Sequence, residues 1–341
     1  MEIGNQIKAL RQTRGITQET LAEKLGVSAQ AISKWERNSS TPDIQMLPDL
    51  SAFFGVTIDQ LFALSDETRL ERIQNMVWDE RVLDPAVVEA ERGFLLDMAR
   101  REPEKGRPYE LLAEMENHLA KYHRERAAEY AKTALSRDPE LKDAHCELTE
   151  AMGGDAFDWY YGNHHKLIEW YKCFVKKNPT VVRGYLWLLD QLMDDYRFEE
   201  AREYIEKLAC TGTPVQTALY TAALYWYEGN REKAHELWSE MEERYADNWE
   251  VFYRIAEFKS RECDYEGAKE YFRKSFSMME RPKWLDPLDA IAQLCEMMGD
   301  ISGAVETLEE ILLVSREDWG SISGESVDQY RREIRRLKEL P

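Results

Sequence analysis

Residues 17–43 read TQETLAEKLGVSAQAISKWERNSSTPD, and the fold of the first part of the chain is decided there. Two short helices are written in it. Thr17 can cap the first, which carries Leu21, Ala22 and Leu25. Gly26 supplies the positive φ of a tight turn. Ser28 can cap the second, which carries Ile32 and Trp35. The small Ala22 lets the two helices cross closely, and Ile32 and Trp35 turn inward. Ala29, Gln30, Ser33 and Lys34 are then left facing outward together. Such an arrangement lays one helix into the major groove of DNA.

The flanks agree. Ile3, Ile7 and Leu10 stand at i, i+4 and i+7, an amphipathic helix over 2–13 that stops at Gly15. Asp43 opens a fourth helix with Leu47, Leu50 and Phe54, closed by Gly55. Thr57 and Gln60 form a capping box over a short fifth helix, Ile58–Phe62. In spacing, caps and fifth helix, about the first 64 residues resemble the lambda-repressor-like, Cro/cI-type (XRE) helix-turn-helix family. The resemblance implies that Gln18 clamps a phosphate and that Ser28, Ala29, Gln30, Ser33 and Lys34 read bases. It also implies that Asn38 and Ser39 meet the backbone beyond, that Arg37 belongs to the DNA-binding set, and that Arg11 and Glu36 form a buried pair. The chemistry is suitable. Gln30 can bond adenine bidentately, Lys34 can donate to guanine, and the Ala29 methyl can touch thymine.

Beyond residue 64 the chain repeats itself. Alanines 127, 201, 234, 268 and 304 head AAEYAKTAL, AREYIEKL, AHELWSEM, AKEYFRKSF and AVETLEEIL. The last four are 33, 34 and 36 residues apart, and one more unit is headed near Leu167 in KLIEWYKCFVKKNP. A partner helix such as LYTAALYWY precedes, with a turn at Gly229-Asn230 or Gly299-Asp300. Small residue, aromatic, turn glycine and closing proline together resemble the tetratricopeptide repeat over roughly 105–315. Unit 215–248 holds Ala222, Tyr225, Gly229, Ala234 and Trp238 in register. A repeat cannot bury its face alone, so stacked pairs are expected to share one continuous core. Tyr130, Tyr171, Tyr204, Trp238 and Phe272 are expected in it. The expected organisation is all-α: a five-helix DNA-binding domain at 1–64, a helical linker or first pair at 65–104, an α-solenoid at 105–320 and a capping helix at 321–341.

The inner face of the solenoid is expected to carry Arg183, Asp190, Asp194, Gln216, Trp226, Tyr227, Glu250, Tyr253, Glu257, Arg261 and Gln293. Of these Asp190, Asp194, Trp226, Tyr227, Tyr253, Glu257 and Arg261 form the candidate partner groove. Carboxylates beside aromatic faces suit an extended peptide carrying Lys or Arg. FDWYYGNHHKLIEWY (157–171) breaks the repeat spacing, and its aromatics could rim a pocket, meet a second copy or simply pack.

Composition narrows the function. With 43% hydrophobic residues, global disorder is not expected. No run approaches the ~18 apolar residues of a membrane span. The start, Met1-Glu2-Ile3-Gly4, carries no signal core, so a cytoplasmic location is expected. The five cysteines, far apart and without a CxxC, point to a reducing compartment and to core filling. His164 and His165 are adjacent, and His118 and His123 are five apart, both poor spacings for a metal. No cofactor and no enzymatic activity are expected, since neither a nucleophile–base pair nor a phosphate loop is present. The net charge of −20 opposes phosphate binding, but it is unevenly spread. Residues 1–37 hold six bases (Lys8, Arg11, Arg14, Lys24, Lys34, Arg37) against four acids (Glu2, Glu19, Glu23, Glu36). Acids beyond the ~8 Å Debye length matter little at the DNA.

The combination resembles the peptide-sensing transcription regulators of Gram-positive bacteria. It implies double-stranded DNA as partner, a peptide or protein ligand in the repeat groove, and a homodimer. The alternative is a scaffold whose repeats dock a permanent protein partner, with DNA binding secondary.

Overall fold

The computed structural model describes residues 3–62, 66–154 and 159–340, without the side chains of 59, 60, 160 and 161. The capping role expected of Gln60 and the Phe157-Asp158 start of the irregular stretch therefore lie outside the described groups. The described residues contain helices and no strand. The chain divides into two compact units, Met1–Ala120 and Lys121–Pro341.

In the first unit the helices are α1 (Ile3–Thr13), α2 (Gln18–Leu25), α3 (Ala29–Glu36), α4 (Leu47–Phe54) and α5 (Ile58–Leu61). Thr17 caps α2 by accepting from the Thr20 amide, and Gly26 leaves it at φ 66°. Ser28 caps α3 by accepting from the Ala31 amide. Asp43 opens a single 3₁₀ turn, Ile44–Met46, rather than α4 itself. Ile7, Leu21, Ile32, Leu50 and Leu61 are fully enclosed in one core, with Trp35 and Phe54 beside them. α1 and α3 approach so closely that a Cβ on Gly4 would stand 1.7 Å from the Trp35 carbonyl oxygen. α6 (Asp66–Asp79) and α7 (Pro85–Arg101) follow, with Asp84 capping α7 and Pro85 in its first turn. Glu91 of α7 is buried between Arg69 and Arg72 of α6, at 2.8 and 2.7 Å.

The division between units falls within α8 (Arg107–Arg137), a single helix of 31 residues. A separate helix headed by Ala127 is therefore not formed. Nothing between Pro108 and Pro139 is a Gly or Pro, so no residue there interrupts the backbone ladder. Tyr130 is likewise not a core residue. It is 64% exposed and accepts from Arg126 at 2.9 Å, while Ala128 and Ala131 take the buried face.

After α9 (Lys142–Ala151) and α10 (Trp159–Gly162) come the stacked helices. These are α11 (His165–Lys177), α12 (Val182–Asp194), α13 (Phe198–Ala209), α14 (Pro214–Tyr227), α15 (Arg231–Arg244), α16 (Trp249–Arg261), α17 (Tyr265–Met278), α18 (Asp286–Met297), α19 (Ile301–Trp319) and α20 (Glu325–Lys338). Each packs chiefly against its neighbours in sequence. Ala201, Ala234, Ala268 and Ala304, one on each second helix, are fully buried. A methyl at those crossings lets helices pack closely where a larger side chain would hold them apart. Gly184 does the same between α12 and α11, where a Cβ would lie 2.8 Å from the Phe174 ring. Tyr171 and Tyr204 pack at the edge of the core, and Trp238 and Phe272 lie within it. Ile334 and Leu337 of α20 close the end of the array.

The turn within each pair needs one left-handed residue. Gly229 and Gly299 fill it in two pairs, and Tyr196 (φ 58°) and Cys263 (φ 62°) in the other two. The core-filling role expected of the thiols holds for Cys295 alone. Cys146, Cys173, Cys210 and Cys263 are exposed, because each sits on a solvent face or turn of its repeat.

Candidate functional site

In the first unit α3 presents its outer face to solvent. Gln30 and Lys34 are exposed one helical turn apart, and among the described residues neither side chain has a hydrogen-bond or ion-pair partner. Ser33 and Ala29 are half-exposed on the same face. Ser28 is exposed but its Oγ is occupied by the cap. Arg37 donates from Nε to the Ser33 carbonyl at 3.1 Å, which leaves its terminal nitrogens outward.

Beneath this face lies a charged knot. Arg11 donates from Nε and Nη2 to the two Glu36 oxygens at 2.6 and 3.0 Å, and from Nη1 to the Ile16 carbonyl at 2.7 Å. The Glu36 side chain is 2% exposed and that of Arg11 13%. Burial pushes the Glu36 carboxyl up, but the bonds from Arg11 and Gln18 outweigh it and hold the group below its ordinary range. Gln18 is thus not wholly free for a phosphate: its Nε2 donates to Glu36 at 2.8 Å, and its carbonyl and second N–H remain. Asn38 and Ser39 are also engaged. Asn38, at φ 54°, accepts from the Gly4 amide and donates to Asn5, and Ser39 Oγ donates to the Lys34 carbonyl. The Asn38 side chain secures the end of α3 against α1, and that of Ser39 satisfies a carbonyl of α3 itself.

In the second unit, Asp190 and Asp194 of α12, Tyr227 of α14, and Glu257 and Arg261 of α16 line one cavity of about 220 Å³. Two of its polar groups escape the sequence reading, Tyr220 and Arg254. Arg254 donates to Glu257 (2.8 Å), Tyr220 Oη (3.0 Å) and Asp190 (3.3 Å). Tyr220 Oη donates to Asp190 at 2.8 Å, and Tyr227 Oη to Asp194 at 2.9 Å. Loss of hydration raises the Asp190 carboxyl, opposed by Arg254 and Tyr220. It also pushes the Tyr227 hydroxyl up to about 12, with Arg261 opposing. The spacing offered a signal: Tyr220 stands seven before Tyr227, and Arg254 three before Glu257, so each pair shares a helix face.

Trp226 and Tyr253 do not reach this cavity. Trp226 is 9% exposed, bonded from Nε1 to Glu262 at 2.7 Å and covered by the Arg231 guanidinium at 3.7 Å. Tyr253 packs on Phe272, ring centroids 5.3 Å apart. Each is the sequence neighbour of a residue that does line the cavity, and neighbours on a helix point about 100° apart. Among the described residues no three metal-ligating side chains converge, and no helix is long and apolar enough to cross a membrane.

The family model described as helix-turn-helix matches residues 7–61. The chain is 41% identical over 75 residues to the transcriptional activator BcrR of Enterococcus faecalis, covering 22% of this chain and 37% of that one. It is 37% identical over 83 residues to the transcriptional regulator SinR of Bacillus licheniformis, 24% of this chain and 75% of that one. This chain thus spans little more than a third of the first relative. Among solved structures, Bacillus thuringiensis PlcR, in complex with a peptide and DNA, superposes with a TM-score of 0.31 at 12% identity over 99% of both chains.

Proposed function

We propose a sensing role for the repeats of this chain, which belongs to the helix-turn-helix transcription regulators and binds DNA through its first part. α3 is the reading helix, with Gln30 and Lys34 as its principal readers, Ala29, Ser28 and Ser33 beside them, and Arg37 on the phosphates. The molecule works in the cytoplasm as a homodimer on a pseudo-palindromic site with half-sites about 10 bp apart. The DNA-binding domain spans 1–64, and the repeats, from about 105 to 320, hold a peptide or protein ligand.

The observation that carries the sensing reading is the cavity built from three successive first helices, α12, α14 and α16. A ligand there touches several repeats at once. It changes DNA affinity only by favouring one dimer arrangement over another, a coupling typically worth ~1–3 kcal/mol. Calorimetry of the full-length chain with a library of basic peptides tests this, together with footprinting in the presence of any binder. Binding that weakens in Asp194→Asn/Glu257→Gln and alters operator affinity is the expected result. Peptides that bind equally well to that variant would place the ligand elsewhere, and a body that binds no peptide at all would remove the peptide ligand.

A further inference from the structure

The charges lining the repeat cavity fall into two sets. Arg254, Asp190, Glu257 and Tyr220 are bonded to one another and form a settled floor. With its donors already turned to Glu257, Tyr220 and Asp190, Arg254 is poorly placed to grip anything else. Asp194 and Arg261 differ. Asp194 accepts one bond, from Tyr227 Oη at 2.9 Å. Arg261 is exposed at the end of α16, close enough to Tyr227 to act on its hydroxyl. Among the described residues neither has an ion-pair partner, although both line the same cavity.

A cation alone would satisfy Asp194 and leave Arg261 idle, and an anion alone would do the reverse. A ligand carrying both charges a few bonds apart satisfies both. Size points the same way, because about 220 Å³ lies below the ~300–1,000 Å³ of pockets for larger ligands and suits a single residue.

We propose that this cleft takes the zwitterionic head of an amino acid, its α-ammonium on the Asp194 carboxylate and its α-carboxylate on the Arg261 guanidinium, with the Tyr227 ring between them. The proposal rests on the reading that this cavity is the ligand site, and it puts a free amino acid there in place of a peptide or protein. Recognition needs both charges of one small molecule, so blocking either should suffice to prevent it.

The test is calorimetric titration of the full-length chain with the common L-amino acids, each alone, followed by the N-acetyl and α-amide derivatives of the tightest binder. Basic peptides are titrated in parallel. At least one amino acid should bind, and each derivative should bind about ten- to a hundredfold more weakly, the range for one charge-assisted hydrogen bond. Asp194→Asn, which keeps an acceptor for Tyr227, and Arg261→Gln, at an exposed site, should each lose affinity over that range. Unchanged thermal melting of both variants would exclude misfolding. Derivatives that bind as well as the parent, or variants that bind it unchanged, would overturn the proposal. If basic peptides bind and no amino acid does, the proposal fails while the sensing reading stands. If neither binds, the proposal fails and the sensing reading is left with a protein ligand alone.

Discussion

Replacing Glu36 by alanine should separate what the charged knot does for stability from what it does for DNA. The Glu36 carboxylate is 2% exposed and receives three bonds, two from Arg11 and one from Gln18. Alanine leaves the Arg11 guanidinium enclosed, with only the Ile16 carbonyl as partner. Removing one member of a buried ion pair costs ~3–5 kcal/mol, and the retained Ile16 bond places this case near the lower end, at roughly 3 kcal/mol. That is about two orders of magnitude in the opening equilibrium. Hydrogen exchange on the full-length chain reads it directly. Amides of α1 and α3 that exchange through this opening should do so roughly a hundredfold faster, and those of α12–α19 at the parental rate. The double variant Arg11→Met/Glu36→Leu removes both charges and should recover most of the protection, because no uncompensated ion remains. It should not recover DNA affinity, since Gln18 still lacks its anchor. Parental protection in Glu36→Ala would refute the burial argument, and full DNA affinity in the double variant would refute the role given to Gln18.

Gly4→Ala places a Cβ 1.7 Å from the Trp35 carbonyl oxygen and 2.5 Å from Asn38 Oδ1, so α1 must shift. A loss of about 3 kcal/mol, at the upper end for overpacking, is expected in denaturant titration. Acid should loosen the same region. Glu36 is held below its ordinary range, so its contribution is complete above the unfolded value and is lost as pH falls through the folded one; exchange protection of α3 measured down that range checks the sign. Gln30→Ala should cost ~1–3 kcal/mol of discrimination between operator and random DNA; equal losses on both would remove Gln30 as a reader. Cys263→Gly relieves a left-handed residue, worth ~1–2 kcal/mol, against the ~0.5–1 kcal/mol entropic cost of glycine. A stabilisation of up to ~1.5 kcal/mol in chemical denaturation follows.

What could be read in the sequence was local. Thr17, Gly26, Ser28, Ile32 and Trp35 act within a few residues of themselves, so the two-helix core of the head was legible before any contact was known. The buried alanines were legible for a related reason: a close crossing tolerates only a small residue, and its recurrence betrays the repeat. The phase of the cleft was harder. Trp226 and Tyr227 are aromatic neighbours that both touch Phe258, and only the bond to Glu262 and the cover of Arg231 decide that Trp226 turns inward. At Tyr253 and Arg254 an aromatic looked like the ligand-facing residue, yet its ring was worth more against Phe272. Left-handed turns at Tyr196 and Cys263 carry no glycine to announce them. The uninterrupted α8 was hidden by a heading alanine that resembles the true ones.

The neighbour-to-neighbour packing of α11–α20 bears on how the protein is made. A ribosome releases the chain from its first residue onward, and domains generally fold as units in that order. In this array each first helix from α14 onward packs chiefly on the second helix that follows it, and each completed pair then settles on helices already released. Only the newest pair waits with an open face, and that interval recurs about every 35 residues of translation. α20 shields the apolar face left by α19, because Ile334 and Leu337 cover it while the charged side of α20 turns outward. A message cut short before residue 325 would leave that final face bare and make the truncated product a substrate for chaperones.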